Sequence, residues 1–323
     1  MTIALAAISV FGLMAEEKTE VYEFGDITRI DSGFLYQIHI TEGTSGKVTI
    51  VYESEYEKHL RVKYSKGESK LSLGLNDIPN KFKRGSQPLI HVYLEMDRID
   101  EVMTSGGGAG IFFDGDFTGE DVRLSASVAS TISDLELHCR NLDLSCSGAS
   151  RASVAGTVTD RMEIELSGAS NADLKLSAQE LECNISGASS FTNSGNLAGC
   201  EIECSGASKF TNNGEIRNGS IECSGASVVK LDGKGSRLDL EGSGACKINT
   251  RDFTAADVTL ELSGASNAAV YAEKTLKYSV IACTLADFQV FFDQGMKLIC
   301  GSGSELVLRS KFEDVVDRFA EQG

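Results

Sequence analysis

Aromatic side chains and basic charge are the scarcest features of this sequence. The chain has no tryptophan, and its 8 tyrosines show no periodic spacing. Because sugar-binding grooves usually need aromatic platforms, this pattern disfavours a carbohydrate site without excluding one. The formal net charge of −17 argues against nucleic acid as a partner, since phosphate backbones are bound by lysine and arginine.

Metal-ligand motifs are also missing. The four histidines, His39, His59, His91 and His138, stand outside any motif, and no C-x-x-C pair occurs beside a histidine. Structural metal sites depend on such closely spaced ligands. The sequence therefore predicts no metal site, and it contains no motif for a cofactor.

A long hydrophobic run occurs only at the start of the chain. Residues 2–15 are mostly apolar and end at the small residue Ala15, before Glu16 and Glu17. The run is too short to span a bilayer but is typical of a secretory signal peptide. We therefore predict a signal peptide over residues 1–17, no integral membrane segment in the mature chain, and an exported protein. Its expected location is the periplasm, the outer membrane surface or the extracellular space.

Proline and helical periodicity are nearly absent, whereas one glycine-containing phrase keeps returning. Strict copies of Ser-Gly-Ala-Ser begin at Ser147, Ser167, Ser186, Ser205, Ser224, Ser243 (with Cys246 replacing the last serine) and Ser263. Their glycines are 20, 19, 19, 19, 19 and 20 residues apart. Looser copies occupy residues 107–110, 127–130, 283–286 and 301–304. A fixed period near twenty is typical of a solenoid, and these copies predict eleven coils.

A strand pattern precedes each phrase. Apolar residues stand four and two places before the glycine, as Ile164 and Leu166 do, with polar residues between them. Alternation with a period of two indicates a strand with one buried face. Coils of 18–20 residues hold two or three short strands, so we predict an all-β, right-handed parallel β-helix. Eleven coils at about 4.8 Å per layer would extend roughly 50 Å.

The two ends of the chain depart from this repeat. Residues 18–103 alternate like strands without the period, which predicts an N-terminal β region that caps or begins the solenoid. Such a cap is needed because an uncovered sheet edge promotes aggregation. The regular β-helix is predicted over residues 104–309. The apolar residues of the segment 310–323 fall on one helical face, which predicts a short capping helix.

Equivalent positions in neighbouring coils should form columns. The cysteines number nine, an odd count, and most are expected to be small core residues. Cys204 and Cys223 share an inward column on adjacent layers and could approach disulfide distance. Asn193 and Asn212 predict a short asparagine ladder. The motif serines are expected to be structural, because seven equivalents without a recurring base argue against a catalytic nucleophile.

Acidic residues recur at the outward positions five and three places before the glycine. The candidate binding residues on this acidic face are Asp143, Glu163, Glu165, Glu182, Glu201, Glu203, Glu222, Asp239, Glu241 and Glu261. Like charges opposed across strands are mildly destabilising, so the pattern needs an explanation. Three explanations stay open: a solvated face, carboxylates bridged by divalent cations, or a face for a basic partner.

Two further segments, together with the repeated phrase, carry a resemblance to a known protein family. Ile27–Phe34 leads into the strand Tyr36–Gly43, and Val92–Val102 precedes the first repeat. These features resemble the head GIN domain family of putative auto-transporter adhesins over roughly residues 22–305. The resemblance implies an exported, right-handed β-helical protein of bacterial envelopes with a role in adhesion. It supplies no catalytic residues.

Three functional hypotheses follow from these observations. The first is a non-enzymatic envelope or surface protein that binds a protein or a glycan. The second is a β-helical lyase or hydrolase acting on polysaccharide, which would need unrepeated acids or bases in one groove. The third is a cation-stabilised structural module of the envelope. The ligand, the mode of anchoring and the oligomeric state are left open by the sequence.

Overall fold

Strands make up most of the protein. The computed structural model describes residues 16–77, 89–281, 288–291 and 297–299. In these ranges the one helical element is the 3-10 turn Ser54–Tyr56, and no helix is long and apolar enough to cross a membrane. The chain divides into two compact units, Met1–Val158 and Thr159–Gly323.

The first unit consists largely of parallel strands. Its strands are β1 (Glu17–Glu23), β2 (Arg29–Ser32), β3 (Tyr36–Glu42), β4 (Lys47–Glu53), β5 (Leu60–Ser65), β6 (Lys70–Leu75), β7 (Ile90–Met96), β8 (Glu101–Ser105), β9 (Gly110–Asp114), β10 (Asp116–Thr118), β11 (Asp121–Ser127), β12 (Thr131–Cys139), β13 (Asn141–Cys146) and β14 (Arg151–Val158). One parallel stack runs β7–β3–β9–β12–β14. The other runs β6–β2–β8–β11–β13.

Antiparallel strands cover one end of each stack in this unit. β1 pairs antiparallel with β4, β4 pairs antiparallel with β7, and β5 pairs antiparallel with β6. The edge strand β1 carries charged residues, among them Glu17, Lys18 and Glu23. Charges on an edge strand oppose pairing with other chains. These strands lie within the region predicted to cap the solenoid, and the boundary at residue 103 stays a prediction.

The second unit repeats two strand faces with a period of 19 or 20 residues. Its strands are β15 (Arg161–Leu166), β16 (Asn171–Ile185), β17 (Ser190–Asn193), β18 (Leu197–Cys204), β19 (Lys209–Asn213), β20 (Ile216–Cys223), β21 (Val228–Gly242), β22 (Lys247–Ser263), β23 (Asn267–Ile281), β24 (Phe288–Phe291) and β25 (Lys297–Ile299). One face stacks β15, β16, β18, β20, β21, β22 and β23. The other stacks β16, β17, β19, β21, β22, β23 and β24.

The predicted parallel β-solenoid is confirmed, but it has about nine turns and not eleven. Two of the looser copies of the phrase, at residues 283–286 and 301–304, lie outside the described residues. The apolar run at residues 2–15 and the predicted helix at residues 310–323 lie outside them as well.

The glycine of the repeated phrase forms a corner that stacks by backbone hydrogen bonds. Gly225 has a φ of +69°, a conformation that side-chain-bearing residues rarely adopt. The amide of the next residue, Ala226, donates a hydrogen bond of 2.7 Å to the carbonyl of Gly206 in the neighbouring layer. The same bond recurs from Ala245 to Gly225 at 2.7 Å. The corner therefore depends on close backbone contact between layers, which explains why the phrase keeps its glycine.

Apolar residues from both faces fill the interior of the second unit. Phe191 and Phe210 are opposite in register, fully buried, and 5.6 Å apart between ring centroids. Asn193 and Asn212 are also fully buried, and Asn193 Nδ2 donates to Asn212 Oδ1 at 3.0 Å. The predicted asparagine ladder is confirmed. Its amides satisfy one another inside the core, where an unpaired amide would cost stability.

The cysteines of the described residues are buried and form no disulfide bonds with one another, as expected for small core residues. Burial raises the pKa of Cys139, Cys200 and Cys204 to about 12 and that of Cys146 to about 11. Because the thiolate is the reactive form, these thiols should react at least about a hundredfold more slowly in the folded protein than in urea at pH 8. Site-resolved mass spectrometry after iodoacetamide labelling checks this. Rapid native labelling of Cys139 or Cys146 would contradict it.

Candidate functional site

The outer acidic column of the second unit lies on one face, as the repeat predicted. Glu163 is opposite Glu182, Glu182 is opposite Glu201, and the register continues through Ser220 to Asp239. Neighbouring strands place these positions about 4.8 Å apart. The structure therefore brings together four of the predicted acids, with one serine between them.

A second column, here called the glutamate column, lies beside the first. Glu203, Glu222, Glu241 and Glu261 occupy four consecutive strands in direct register and are exposed. Glu165 is separated from them by Asn184. The four glutamates thus form an unbroken row of negative charge.

Arginines neutralise part of the negative charge of the outer column but form no ion pair with the glutamate column in the described residues. Arg161 Nη2 lies 3.5 Å from Glu163 Oε2 and also contacts Glu182, and Arg237 Nε lies 3.0 Å from Asp239 Oδ2. Within the described part of the chain, no lysine or arginine lies within ion-pair distance of the glutamate column. The two columns therefore differ in the charge that they present.

Asp143 belongs to the first unit and has its own partner. Its Oδ2 accepts a hydrogen bond of 3.0 Å from Arg123 Nε on the neighbouring strand. This ion pair is largely exposed and contributes little to stability. Asp143 is thus the one predicted acid that lies in the first unit.

A shallow hollow of about 480 Å³ interrupts the outer column. Its lining includes Gly199, Gly219 and Ser220, whose small size leaves the space open. Arg161 and Arg237 line it as well. The carboxylates of Glu182, Glu201 and Asp239 also line it, together with the apolar side chain of Leu181. The acids belong to a repeating row, and no pair of them is set apart by its geometry as a catalytic pair would be.

The described residues contain no group of three or more histidine, cysteine, aspartate or glutamate side chains that could hold a metal ion. This finding bears on the cation hypothesis, because bound calcium needs six to eight oxygen ligands. In-register carboxylates point side by side along a flat face and do not surround a common centre. The geometry therefore does not favour a cation as the ligand of this face.

A surface in the first unit was missed by the sequence analysis. Eight outward positions on the consecutive strands β4, β7, β3 and β9 carry no charged residue. This uncharged strip consists of Thr49, Val51, His91, Tyr93, Gln37, His39, Gly110 and Phe112. The rings of Tyr93, His39 and Phe112 stand in register, with centroids 4.9 Å and 5.5 Å apart. Three of the four strands show the signal locally, as a ring at an outward position, but the spatial order of the strands does not follow the chain.

The histidines of this strip are neighbours, although the sequence separates them by 52 residues. His39 Nε2 lies 3.4 Å from His91 Nδ1. Burial lowers the pKa of His39, and the nearby His91 lowers it further. The imidazole of His39 therefore stays neutral to a lower pH than an exposed histidine.

Solved structures of similar fold come from bacterial proteins described as putative adhesins. One from Bacteroides fragilis has 16% sequence identity and a TM-score of 0.52, with 70% of this chain and 96% of that chain covered. One from Parabacteroides distasonis has 14% identity and a TM-score of 0.45, with 88% and 98% covered. One from Parabacteroides merdae has 14% identity and a TM-score of 0.43, with 86% and 96% covered. At these identities the likeness concerns the fold. A comparison with curated proteins gives no match.

A family model gives the more specific result. The model described as "Putative auto-transporter adhesin, head GIN domain" matches residues 26–193, 143–214 and 192–283. These matches extend over most of the sequence and include the repeated phrase. Together with the β-solenoid fold they support a surface, adhesin-like role. The chain belongs to the family of putative auto-transporter adhesins with a head GIN domain.

Proposed function

We propose that the protein is an exported, non-enzymatic adhesin of the cell envelope, and that its glutamate column binds a basic partner surface. The observation that carries this proposal is the row of Glu203, Glu222, Glu241 and Glu261 on consecutive strands without compensating cations nearby. A partner with repeated lysine or arginine side chains would complement that row.

The glutamate column is energetically unfavourable in itself, because its carboxylates repel one another. Like charges directly opposed on neighbouring strands destabilise a sheet by up to about 1 kcal/mol for each pair. Elsewhere on the same face the cost is relieved by Arg161 and Arg237. A row that stays uncompensated over four layers is costly unless it meets positive charge from another molecule. Electrostatic attraction of this kind also speeds association.

The recurrence of the acidic residues at equivalent positions also favours binding over catalysis. An enzyme acting on polysaccharide needs one acid and one base held in a specific relation, as paired carboxylates are in glycosidases. Here the acids recur at equivalent positions, so each has nearly the same surroundings as the next. Such a row suits contact at many points, in which weak interactions add up.

The test compares two variants of the purified protein on poly-lysine films. In the column variant, Glu203, Glu222, Glu241 and Glu261 are replaced by glutamine. In the control variant, Asp232, Asp252, Asp257 and Glu273, which are exposed elsewhere in the same unit, are replaced by asparagine or glutamine. Exposed ion pairs contribute about 0.2–1 kcal/mol each, so the column variant should bind about tenfold more weakly at low salt.

The control variant should bind within about twofold of the parent, because net charge alone should matter less than the row. Equal weakening of both variants would refute the role of the column. Proteolysis of intact cells that express the full chain tests the location separately. Protection of the protein from added protease would argue against a surface adhesin.

A further inference from the structure

The uncharged strip of the first unit is unusual in a chain with a net charge of −17. Its positions form two adjacent columns over four strands, so the strip is about 14 Å long across the strands. Tyr93 lies near its middle and is 47% exposed, which makes it one of the two exposed large hydrophobic residues of the described chain. A single exposed hydrophobic residue would need no explanation, but Tyr93 forms a row of rings with His39 and Phe112.

The rings of the strip form an offset stack. The planes of His39 and Tyr93 are inclined by 14°, and those of His39 and Phe112 by 20°. Centroid distances of 4.9 and 5.5 Å are characteristic of offset stacking, in which the rings overlap only partly. Tyr93 and Phe112 lie at the two ends of this row, so each has one ring face that His39 does not cover.

Gly110 makes room for this arrangement. A Cβ at this position would lie 2.8 Å from the ring of Phe112 and 3.1 Å from Gln37 Oε1. Glycine thus lets the phenyl ring and the amide lie close together at the surface. Polar atoms consequently stand beside the rings, from Gln37 and from the imidazole nitrogens of His39 and His91.

Carboxylates border the strip on one side. The next column along the strands contains Lys47, Glu95, Thr41 and Asp114. The surface thus combines aromatic rings, neutral hydrogen-bonding groups and a mixed border of two carboxylates, one hydroxyl and the ammonium group of Lys47. The strands beneath it are paired on both sides, so no free edge is available for an added peptide strand.

We propose that the uncharged strip, centred on Tyr93, His39 and Phe112, is a binding site for a neutral glycan. A sugar ring has a face of C–H groups that packs against the negative face of an aromatic ring. Its hydroxyls would bond to Gln37, to the imidazoles and to the bordering carboxylates. An anionic lipid surface fits poorly, because Glu95 and Asp114 would repel it. The site is in a different unit from the glutamate column and does not depend on it.

Affinity electrophoresis tests the proposal with named probes. The full chain is run in native gels that contain galactomannan, xylan or mixed-linkage β-glucan, with pectate as a charged comparison. At least one neutral polysaccharide should retard the parent protein, and pectate should not. Tyr93→Ala should weaken the binding about tenfold, and Phe112→Ala should weaken it as well.

Matched variants separate loss of the ring from loss of the fold. Ser65→Ala changes an exposed residue of β5, a strand outside the uncharged strip, and should leave the retardation unchanged. Tyr93→Phe keeps the ring and should retain most of the binding. Unchanged thermal unfolding of each variant shows that the fold is intact.

The proposal is overturned if no neutral polysaccharide retards the parent, or if Tyr93→Ala binds as the parent does. Binding to phosphatidylcholine vesicles that is lost in Tyr93→Ala, without retardation by glycans, would assign the strip to a lipid surface and also overturn it. The column variant of the second unit should keep its glycan binding. An absence of glycan binding by the strip can therefore be distinguished from an absence of poly-lysine binding by the glutamate column.

Discussion

Replacement of Gly225 by valine is expected to lower the free energy of unfolding by about 2–5 kcal/mol, although the residue is exposed. Its φ of +69° is in the left-handed region, which costs a side-chain-bearing residue about 1–2 kcal/mol. A Cβ there would also lie 2.6 Å from the carbonyl oxygen of Gly206. Overpacking of this kind costs about 1–3 kcal/mol, because the stacked backbones must separate.

Urea unfolding followed by circular dichroism measures this effect. Gly199→Val is the matched control, since Gly199 does not have a positive φ and a Cβ there would meet its nearest atom at 3.6 Å. The control should change the free energy of unfolding by less than about 0.5 kcal/mol, as most surface substitutions do. Similar losses in both variants would show that the corner does not depend on close stacking of glycine.

Replacement of Asn212 by aspartate should destabilise the protein by about 4 kcal/mol at pH 7. Asn212 is fully buried, its Oδ1 accepts from Asn193, and its Nδ2 donates to the carbonyl of Gly214 at 3.3 Å. A carboxylate would place a negative oxygen against that carbonyl without solvent. Burial of this kind raises the pKa of a carboxyl group by about 3–5 pH units.

The loss of stability in this variant should depend on pH with a defined sign. The carboxyl pKa would be about 3.9 in the unfolded chain and raised in the folded one. The destabilisation is then small below pH 4, grows as the pH rises between the two pKa values, and is complete above the folded one. The measurement is the difference in urea midpoint between variant and parent from pH 3.5 to 8.

Asn213→Asp is the control for the neighbouring residue of the same strand. Asn213 is exposed, so its replacement should change stability by less than about 0.5 kcal/mol at every pH. A pH-independent loss in Asn212→Asp would indicate disrupted packing and would refute the role of a buried charge.

Much of the second unit could be predicted because its repeat is nearly constant in length. A spacing of 19 or 20 residues places equivalent residues on adjacent strands, and strand pairing keeps them in register. The alignment of Glu203 with Glu222 and the ladder of Asn193 and Asn212 follow from counting alone. The solenoid has about nine turns where eleven were predicted, and two of the four looser copies of the phrase lie outside the described residues.

The first unit could not be predicted in the same detail. Tyr93, His39 and Phe112 are adjacent in space in that order, whereas the chain order is 39, 93 and 112. The strand β4 pairs antiparallel with β7, and β3 lies between β7 and β9. Without a constant period, nothing in the sequence specifies which strands are neighbours. The spacing of the tyrosines in the sequence therefore gave no sign that Tyr93 lies beside His39 and Phe112.

By itself, the amino-acid sequence determined the solenoid, its corners and the columns of the second unit. Alternating polarity sets which face is buried, glycine sets where the chain turns, and a constant period sets which residues stack. The tertiary structure alone decided which acids remain uncompensated and that His39, His91 and Tyr93 form one surface. The reason is physical: neighbours in a sheet are chosen by strand pairing over long separations, and local sequence encodes the strand but not its partner.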